Sequence, residues 1–522
     1  MKRDFSSLQG QQFDLLVCGG GIYGAWTAYD AALRGLKVVI VEQGDWASAT
    51  SSASSKLIHG GLRYLESFDF KLVKKALTER QLLLKIAPHL VWPLRFAVPV
   101  YADSRISRLQ LKIGLMIYDF LAGMPFVKPG HRYFNREEFS RRFPLLDATT
   151  LKGGLSYGDA QTDDARLVLE LIEGAMQAGA ACVNYCKLLE ITEQKGKGYT
   201  AILQDQAGNK RSEIRAKQIV YTAGQWSAIE AESSKWCRVS KGVHLLLPST
   251  LTDEALLLTA REDGRVFFMI PWYGLTLLGT TDTDYNGDMQ NVTVEEKDVV
   301  YLLDAINPYL KTVWTKADVI GSYAGLRVMK RSEKSSPSAV SRDWELKTAN
   351  NGVLYSIGGK ITSAREDAAC IVDRVCELLG EDIPCASRDS LFPWAPDDYE
   401  KWFVEMSARA SQLGIDEAST MWILRRHGKR VAEIFRDLEQ NPSLSERIVP
   451  SLPLIYADLL FCAQHEMVVH LHDLLRRRLP LLILATFDEH DLRSIAQRVA
   501  AVLDWDSNRV EHEIASCNYR VV

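Results

Sequence analysis

The chain has 522 residues, of which 47% are hydrophobic and 25% are charged, and its formal net charge is −4. This composition is typical of a globular protein and excludes a disordered or fibrous chain, while the length predicts two or three domains. The chain has no excess of basic residues of the kind that indicates a nucleic-acid partner, and we therefore expect no such partner.

Cysteine usage and hydropathy indicate the compartment. The nine cysteines are scattered and form no C-x-x-C pair, which argues against a disulfide framework or a zinc ribbon and favours reduced thiols. Residues 1–12 are polar and lack the apolar centre of a signal peptide. No uncharged apolar run approaches the ~20 residues that cross a bilayer. We therefore expect a cytoplasmic protein, which could still lie on a membrane surface.

Residues 13–45 carry the pattern of a dinucleotide-binding unit. A short apolar strand leads into Gly19, Gly21 and Gly24, which fit G-x-G-x-x-G; a helix follows, and a second apolar strand ends at Glu42. The glycines allow a tight turn, a close approach of pyrophosphate and close helix–strand packing, and an acid about 20 residues later binds ribose hydroxyls. The unpaired N–H groups at the start of the helix favour phosphate. The position near the start of a long chain favours FAD over NAD.

Residues 50–66 are rich in hydroxyl groups, glycines and cations. The candidate binding residues in this stretch are Thr50, Ser51, Ser55, Gly60, Gly61 and Arg63. Small hydroxyls cap helices or donate to phosphate and ring oxygens. Paired glycines let the backbone approach a flat ligand. An arginine offers a rigid fork for an anion. By itself, however, the stretch is equally typical of a charged surface loop.

Taken together, residues 19–66 closely resemble the FAD-dependent glycerol-3-phosphate dehydrogenases, the respiratory type within the glycine-oxidase-like flavoproteins. The most specific part is TSSASSKLIHGGLRYLE. Further matches follow in order: DDARLVLE, YTAGQWS, KGVHLLLP, FFMIPW, LLGTTDTDYNGD, SYAGLRV and SIGGKITSAR. The resemblance covers residues 13–375 and continues more weakly to the end.

The resemblance implies an α/β fold. We expect a Rossmann-like FAD-binding domain of the glycine-oxidase/D-amino-acid-oxidase type, a mostly β substrate domain and a helical C-terminal domain. The FAD-dependent oxidoreductase region would span 13–385, with FAD-binding pieces at about 13–75, 155–235 and 320–385 and substrate-binding pieces at about 76–154 and 236–319. A Ser/Pro/Asp-rich linker near 387–400 precedes a helical pattern, which we assign to a domain at 393–522.

Two later strand ends are expected to reach the cofactor. An apolar strand runs into Ala223 and Gly224, where the family usually shows Thr-Gly-Pro-Trp and this chain has Ala-Gly-Gln-Trp. Another strand ends at Gly358-Gly359, after which Lys360 and Thr362 open a helix. A helix start aimed at the flavin would stabilise negative charge on the reduced ring.

The resemblance also implies a substrate pocket that holds a phosphate dianion. Its substrate-binding residues would be Arg63, Tyr64, His244, Thr281, Asp282, Arg327 and Lys360, with Arg63 and Arg327 as the phosphate clamp. The family usually has proline after this second arginine, and Val328 stands there instead, which leaves the local turn open. His244 has an ordinary pKa near neutrality and could accept the hydroxyl proton, and Lys360 is the competing base; the sequence does not choose between them.

Two metal patterns fail on spacing, and we expect no metal. The loop at 277–288 holds three aspartates but lacks the terminal glutamate of a calcium loop. In the stretch 462–472, His465 and His470 are five residues apart, whereas H-E-x-x-H requires four.

The expected activity is oxidation of sn-glycerol 3-phosphate to dihydroxyacetone phosphate by hydride transfer to FAD, with electrons passed to a quinone. The alternatives are an oxygen-using oxidase of the same substrate, of a related polyol phosphate or of an amine, and, in another class, a non-catalytic redox scaffold. The resemblance is compatible with peripheral contact at the inner face of the cytoplasmic membrane and with a homodimer. The amphipathic segment 105–120 and the basic-apolar segment 474–487 are the candidate membrane faces.

Overall fold

The computed structural model of the protein describes residues 1–123, 130–228, 233–248, 253–331 and 343–517. Its strands are β1 Gln12–Cys18, β2 Val38–Val41, β3 Leu57–Ile58, β4 Val91–Tyr101, β5 Arg132–Phe134, β6 Leu151–Thr162, β7 Ala181–Val183, β8 Cys186–Gln194, β9 Gly198–Asp205, β10 Arg211–Tyr221, β11 Cys237–Leu247, β12 Ala255–Thr259, β13 Val266–Trp272, β14 Leu275–Gly279, β15 Thr283–Asp284, β16 Gly321–Lys330, β17 Glu345–Thr348 and β18 Leu354–Ile357. Its helices are α1 Ile22–Leu33, α2 Phe70–Ile86, α3 Arg108–Leu121, α4 Arg136–Arg142, α5 Asp164–Gln177, α6 Glu296–Ile306, α7 Ala364–Leu379, α8 Tyr399–Gln412, α9 Glu417–His427, α10 Val431–Gln440, α11 Tyr456–His465, α12 Leu471–Asp473, α13 Leu481–Leu484, α14 Glu489–Leu503 and α15 Ser507–Ser516.

The first sheet has the doubly wound core of a dinucleotide-binding unit. Its eight strands run in the order β17-β18-β10-β1-β2-β7, with β9 and then β8 attached at β10. The strands β18, β10, β1, β2 and β7 are mutually parallel. All four residues of β2 are buried, as are the last four of β1, because helices α1, α5 and α7 pack together beside this sheet. This arrangement agrees with the α/β fold that the sequence predicts.

The second sheet has ten strands and is mostly antiparallel. Its order is β15-β11-β14-β13-β12-β4-β6-β3, with β16 attached to β11 and β5 to β6. Its longest pairings are those of β4 with β6 and of β11 with β16. Two hydrophobic clusters lie against this sheet, one shared with the C-terminal helices and one with α4 and α6.

Two stretches fall in a different sheet from the predicted pieces. Residues 155–162, predicted with the FAD-binding pieces, belong to β6 and pair with β4. Residues 321–330, also predicted there, form β16 and pair along their length with β11. In both cases a long antiparallel ladder fixes the strand in the second sheet, and such pairings between distant segments leave no signature in a local pattern.

The C-terminal region is helical from α8 onward. The prediction that segment 474–487 is a membrane face is wrong, because its first residues are buried within the protein. These are Leu474, Leu475, Arg477 and Arg478. Arg477 pairs with Asp45 and with Asp473 of α12, and Arg478 also pairs with Asp45. No helix in the described part of the chain combines the length and apolarity needed to cross a membrane.

Candidate active site

A cavity of about 430 Å³ collects residues from both sheets and from the loops that join them. All of the predicted site residues line it except Gly24, Gly60 and Thr281. Those that do are Gly19, Gly21, Glu42, Thr50, Ser51, Ser55, Gly61, Arg63, Tyr64, Ala223, Gly224, His244, Asp282, Arg327, Gly359, Lys360 and Thr362. Segments that are more than 300 residues apart in the chain therefore meet around one space.

The glycine loop between β1 and α1 leaves no room for side chains. Gly19 has φ +113°, and a Cβ added there would lie 2.6 Å from the carbonyl oxygen of Thr222. A Cβ on Gly24 would lie 1.8 Å from the carbonyl oxygen of Gly19, so this glycine permits the helix to pack on the strand. Gly21 caps the start of α1 and lines the cavity. The N-terminus of α1 and the backbone of the glycine loop thus face the cavity. This arrangement accommodates the pyrophosphate of a dinucleotide.

Glu42 connects the end of β2 to this loop. Its carboxylate accepts hydrogen bonds from the N–H groups of Gly20, at 2.6 Å, and Gly44, at 2.8 Å. Burial raises the pKa of the Glu42 carboxyl, and the two N–H groups oppose that rise. Each carboxylate oxygen has a second lone pair, so the side chain can brace the glycine loop and also accept from a ribose hydroxyl.

The hydroxyl groups of residues 50–55 have protein partners. Ser51 Oγ accepts from the N–H of Ile22 at 2.9 Å and so caps α1. Thr50 Oγ1 donates to the carbonyl of Leu326 at 2.6 Å, which ties the loop to β16. These contacts fix the loop over the start of α1, a role that the serine-rich composition does not reveal.

Gly60, a predicted cofactor-binding residue, does not line the cavity. It is buried, its N–H donates to Tyr118 Oη at 2.9 Å, and a Cβ added there would lie 2.5 Å from Leu77. Tight packing against α2 and α3 therefore requires this glycine. Gly61, with φ +74°, does line the cavity and begins the turn that carries Arg63.

Two predicted cations gather around one aromatic ring. Lys360 Nζ lies 3.8 Å from the centroid of the Tyr64 ring, and the Arg63 guanidinium carbon lies 5.2 Å from it. The Lys360 backbone is held by its N–H bond to Tyr23 Oη at 3.0 Å, beside Gly359 with φ +99°. Cations above aromatic faces are stabilised by the ring quadrupole, so this corner of the cavity is positively charged.

Arg327 approaches from the opposite sheet. Its guanidinium donates to Thr280 Oγ1 at 2.7 Å and to the carbonyl of Thr281 at 3.1 Å. It passes over Gly242, where an added Cβ would meet it at 2.2 Å. At residue 328, where the family usually has proline, the backbone is extended, because Val328 continues β16 in register with β11.

His244 lies on β11 and is buried. Its Nε2 is 2.8 Å from Ser55 Oγ, and its ring stacks on that of Tyr323 at 4.8 Å between centroids. Burial, reinforced by the charges of Arg327 and Lys56, holds the pKa of His244 well below its usual range. The imidazole is therefore neutral near pH 7 and able to accept a proton.

Arg265 is a cavity residue that the sequence reasoning missed. It stands at the start of β13, lines the cavity and donates to the carbonyl of Asp282 at 3.0 Å. Thr281, by contrast, uses its hydroxyl to accept from the N–H of Val243 at 2.9 Å. The only signal for Arg265 would have been its place after an Asp-Gly turn, which by itself indicates a hairpin.

A group of possible metal ligands lies outside this cavity. His427, Cys462 and Glu466 have ligand atoms within 4.8 Å of one another. Arg166 pairs with Glu466 and, against the effect of burial, holds the pKa of this carboxyl low, while burial raises the pKa of the Cys462 thiol. A carboxylate already neutralised by a guanidinium, beside a thiol held in its protonated form, is a poor setting for a cation.

Comparisons with known proteins agree with this geometry. Residues 14–365 match the family described as FAD dependent oxidoreductase, and residues 396–510 match the C-terminal domain of alpha-glycerophosphate oxidase. A glycerol-3-phosphate dehydrogenase of Synechocystis is 32% identical over 539 residues, covering 98% of this chain and 97% of its own.

Solved structures show the same fold. The glycerol-3-phosphate dehydrogenase from Bacillus halodurans, complexed with FAD, superposes with a TM-score of 0.79 at 27% identity, covering 98% of this chain and 94% of its own. Glycine oxidase from Geobacillus kaustophilus, at 19% identity and a TM-score of 0.54, covers 73% of this chain and 99% of its own. The predicted fold class is confirmed.

Proposed function

The chain belongs to the family of FAD-dependent glycerol-3-phosphate dehydrogenases, and from this premise we propose that it oxidises sn-glycerol 3-phosphate to dihydroxyacetone phosphate. FAD is its cofactor. One observation carries the proposal: the same cavity is lined by the glycine loop at 19–24, by three cationic side chains and by the buried, neutral imidazole of His244. The three cations are Arg63, Arg327 and Lys360.

The cavity offers a distinct place for each part of the reaction. Gly19, Gly21, the start of α1 and Glu42 would hold the dinucleotide. When bound, FAD supplies a two-electron acceptor that takes a hydride at N5 of its ring. Residues from the second sheet and from the 61–64 turn are left to bind the substrate.

The phosphate would lie among the cations. Arg63 and Lys360 approach from the Tyr64 side, while Arg327 approaches from β16. A phosphate dianion accepts several charge-assisted hydrogen bonds, and guanidinium groups match its geometry in bidentate fashion. Arg265 adds a fourth positive group to the lining.

His244 would accept the proton of the C2 hydroxyl. It is neutral before the substrate binds, because burial and nearby cations disfavour its charged form. As the hydride leaves C2, the hydroxyl proton must leave as well, and a neutral imidazole within reach serves as general base. Lys360 remains the competing base, and its ammonium would have to lose a proton first.

The electron acceptor separates two versions of the proposal. We favour a quinone, as the resemblance implies. The alternative is molecular oxygen, which the match of residues 396–510 to a domain described for an alpha-glycerophosphate oxidase supports. Peroxide formed under air, measured against reduction of a quinone analogue, distinguishes the two.

A quinone acceptor would require contact with a membrane, and α3 has a suitable surface. Its inner face carries the buried residues Leu111, Leu115 and Tyr118. Its outer face exposes large apolar side chains: Leu109, Ile113, Met116 and Phe120. Arg105, Arg108 and Lys112 are exposed beside them, as on amphipathic helices that lie in an anionic lipid interface. We propose docking through this face at the cytoplasmic side of the membrane.

Anaerobic reduction tests the function directly. The purified protein should carry oxidised flavin and lose its yellow absorbance when glycerol 3-phosphate is added without oxygen. Glycerol, an amino acid and other phosphorylated polyols are the comparison substrates. Bleaching by glycerol or an amino acid, and not by glycerol 3-phosphate, would show that the substrate assignment is wrong.

A further inference from the structure

Asp164, the first residue of α5, is a buried centre of hydrogen bonds close to the cavity. One of its carboxylate oxygens accepts from the N–H of Ser54 at 3.0 Å and from the hydroxyl of the same residue at 2.7 Å. The other accepts from Lys56 Nζ at 2.6 Å. Both side chains of the Lys56–Asp164 ion pair are almost completely buried. One carboxylate thus holds the two residues that flank Ser55.

The backbone at Lys56 is strained, which indicates that these bonds are needed. Lys56 has φ +59°, in the left-handed region that residues with a side chain rarely adopt. Such a conformation is unfavourable and persists only where the surroundings impose it. Here the Lys56 ammonium also donates to the carbonyl of Ser52 at 2.9 Å, and its N–H donates to Ser54 Oγ at 3.0 Å.

The segment held in this way supports His244 from two directions. Ser55 Oγ lies 2.8 Å from the imidazole Nε2. The hydroxyl of Tyr323 donates to the carbonyl of Ser54 at 2.7 Å, while the Tyr323 ring stacks on the imidazole with an angle of 17° between planes. Both the hydrogen bond and the stacking partner therefore depend on where residues 54 and 55 lie.

We propose that Asp164 is a positioning residue for His244, acting through the segment Ser54–Ser55–Lys56, and that Lys56 sets the electrostatic environment of the imidazole. The inference rests on the proposed function of His244 as the base. Neither Asp164 nor Lys56 lines the cavity, so neither is expected to touch the substrate.

The charges around His244 predict opposite effects for the two members of the ion pair. The groups close to the imidazole are Arg327 and Tyr323 on β16 and Lys56 on the loop. Arg476 lies over the ring of Tyr323, 5.7 Å from its centroid. Asp163 and Asp164 lie near Lys56. Removing the Lys56 cation should raise the pKa of the imidazole. Removing the Asp164 charge leaves that cation uncompensated and should lower it further.

The kinetic experiment uses the holoenzyme and three variants. Asp164→Asn should lower kcat by about tenfold with KM unchanged within about twofold, because a base displaced by a fraction of an ångström loses much of its effect. Ser55→Ala should give a similar loss. In the Ser55→Ala background, Asp164→Asn should have little further effect, about twofold or less, because both act on the same contact. Equal losses in both backgrounds would refute the route through Ser55.

A second measurement does not depend on turnover. With histidine labelled in the imidazole ring, the His244 signal, assigned by its absence in His244→Gln, is titrated by NMR in the oxidised holoenzyme. Lys56→Gln should move its midpoint to higher pH and Asp164→Asn should move it to lower pH. Identical midpoints in all three proteins would overturn the inference. If these shifts occur but glycerol 3-phosphate does not bleach the wild type, the proposed function fails and the positioning stands.

A matched control separates positioning from stability. Glu79 forms an equally buried ion pair with Arg365, at 2.6 Å, and neither residue lines the cavity. Glu79→Gln should lower Tm much as Asp164→Asn does while leaving kcat and the His244 midpoint unchanged. If Glu79→Gln changed both as well, the effect of Asp164 would be only structural.

Discussion

Substitution of Arg63 by alanine tests the assignment of the 61–64 turn to the substrate. The guanidinium is half-buried, lines the cavity and lies over the ring of Tyr64. A hydrogen bond to a charged group contributes about 1.5–3 kcal/mol, and partial exposure places Arg63 toward the lower part of that range. At 1.4 kcal/mol for each factor of ten, we expect KM for glycerol 3-phosphate to rise about 10- to 30-fold.

The bound flavin should be unaffected, because Arg63 has no contact with the glycine loop or with Glu42 among the hydrogen bonds of the described residues. Steady-state kinetics at several substrate concentrations and the flavin-to-protein absorbance ratio measure the two effects separately. Arg105→Ala is the control, since Arg105 pairs with Glu66 on the surface and lies outside the cavity. Loss of flavin with unchanged KM would assign the whole turn to the cofactor and refute this reasoning.

Four further outcomes are expected. His244→Gln should lower kcat by about 10²–10⁴-fold with FAD retained; an unchanged kcat would leave Lys360 as the base. Gly24→Ala places a Cβ 1.8 Å from a backbone oxygen, so it should abolish flavin loading, and a yellow variant of normal Tm would contradict this packing. The pKa values of His244, His427 and His472 are all held well below their usual 6.5 by burial. The free energy of unfolding should therefore fall as the pH drops below 6.5, by up to about 1.4 kcal/mol per pH unit for each of these rings. A Tm that stays constant from about pH 7.5 to 5.5 would refute this prediction. Phe120→Ser should reduce flotation with anionic vesicles without changing kcat on a soluble acceptor, and equal flotation would exclude α3 as the docking face.

The local part of the fold can be predicted from the sequence because its signals are local. The alternation of apolar strand, glycine turn and helix near Gly19 indicates a dinucleotide-binding unit, and the structure forms β1, α1 and β2 there. The same holds for the helical pattern after residue 393. The family resemblance and the FAD cofactor are confirmed by the matched relatives.

The contacts that complete the site could not be predicted in this way, because they join segments far apart in the chain. Ser55, predicted at the cofactor, also lies against His244, because the tertiary fold brings the loop before β3 against β11. Gly60 was expected at a ligand and packs against Tyr118. Asp164 stands in the DDARLVLE motif, yet its pairing with Lys56 depends on the packing of α5 against the loop.

The strand order of the first sheet also bears on how the protein is made. β1 pairs with β10, and β10 pairs with β18, which ends at Ile357. During synthesis β1 leaves the ribosome with one edge that is covered only when β10 follows, and β10 in turn has an open edge until β18 emerges. The cavity is complete only after residue 362. An exposed hydrophobic edge of this kind invites aggregation. The nascent chain should therefore be prone to aggregation until about two thirds of it has emerged.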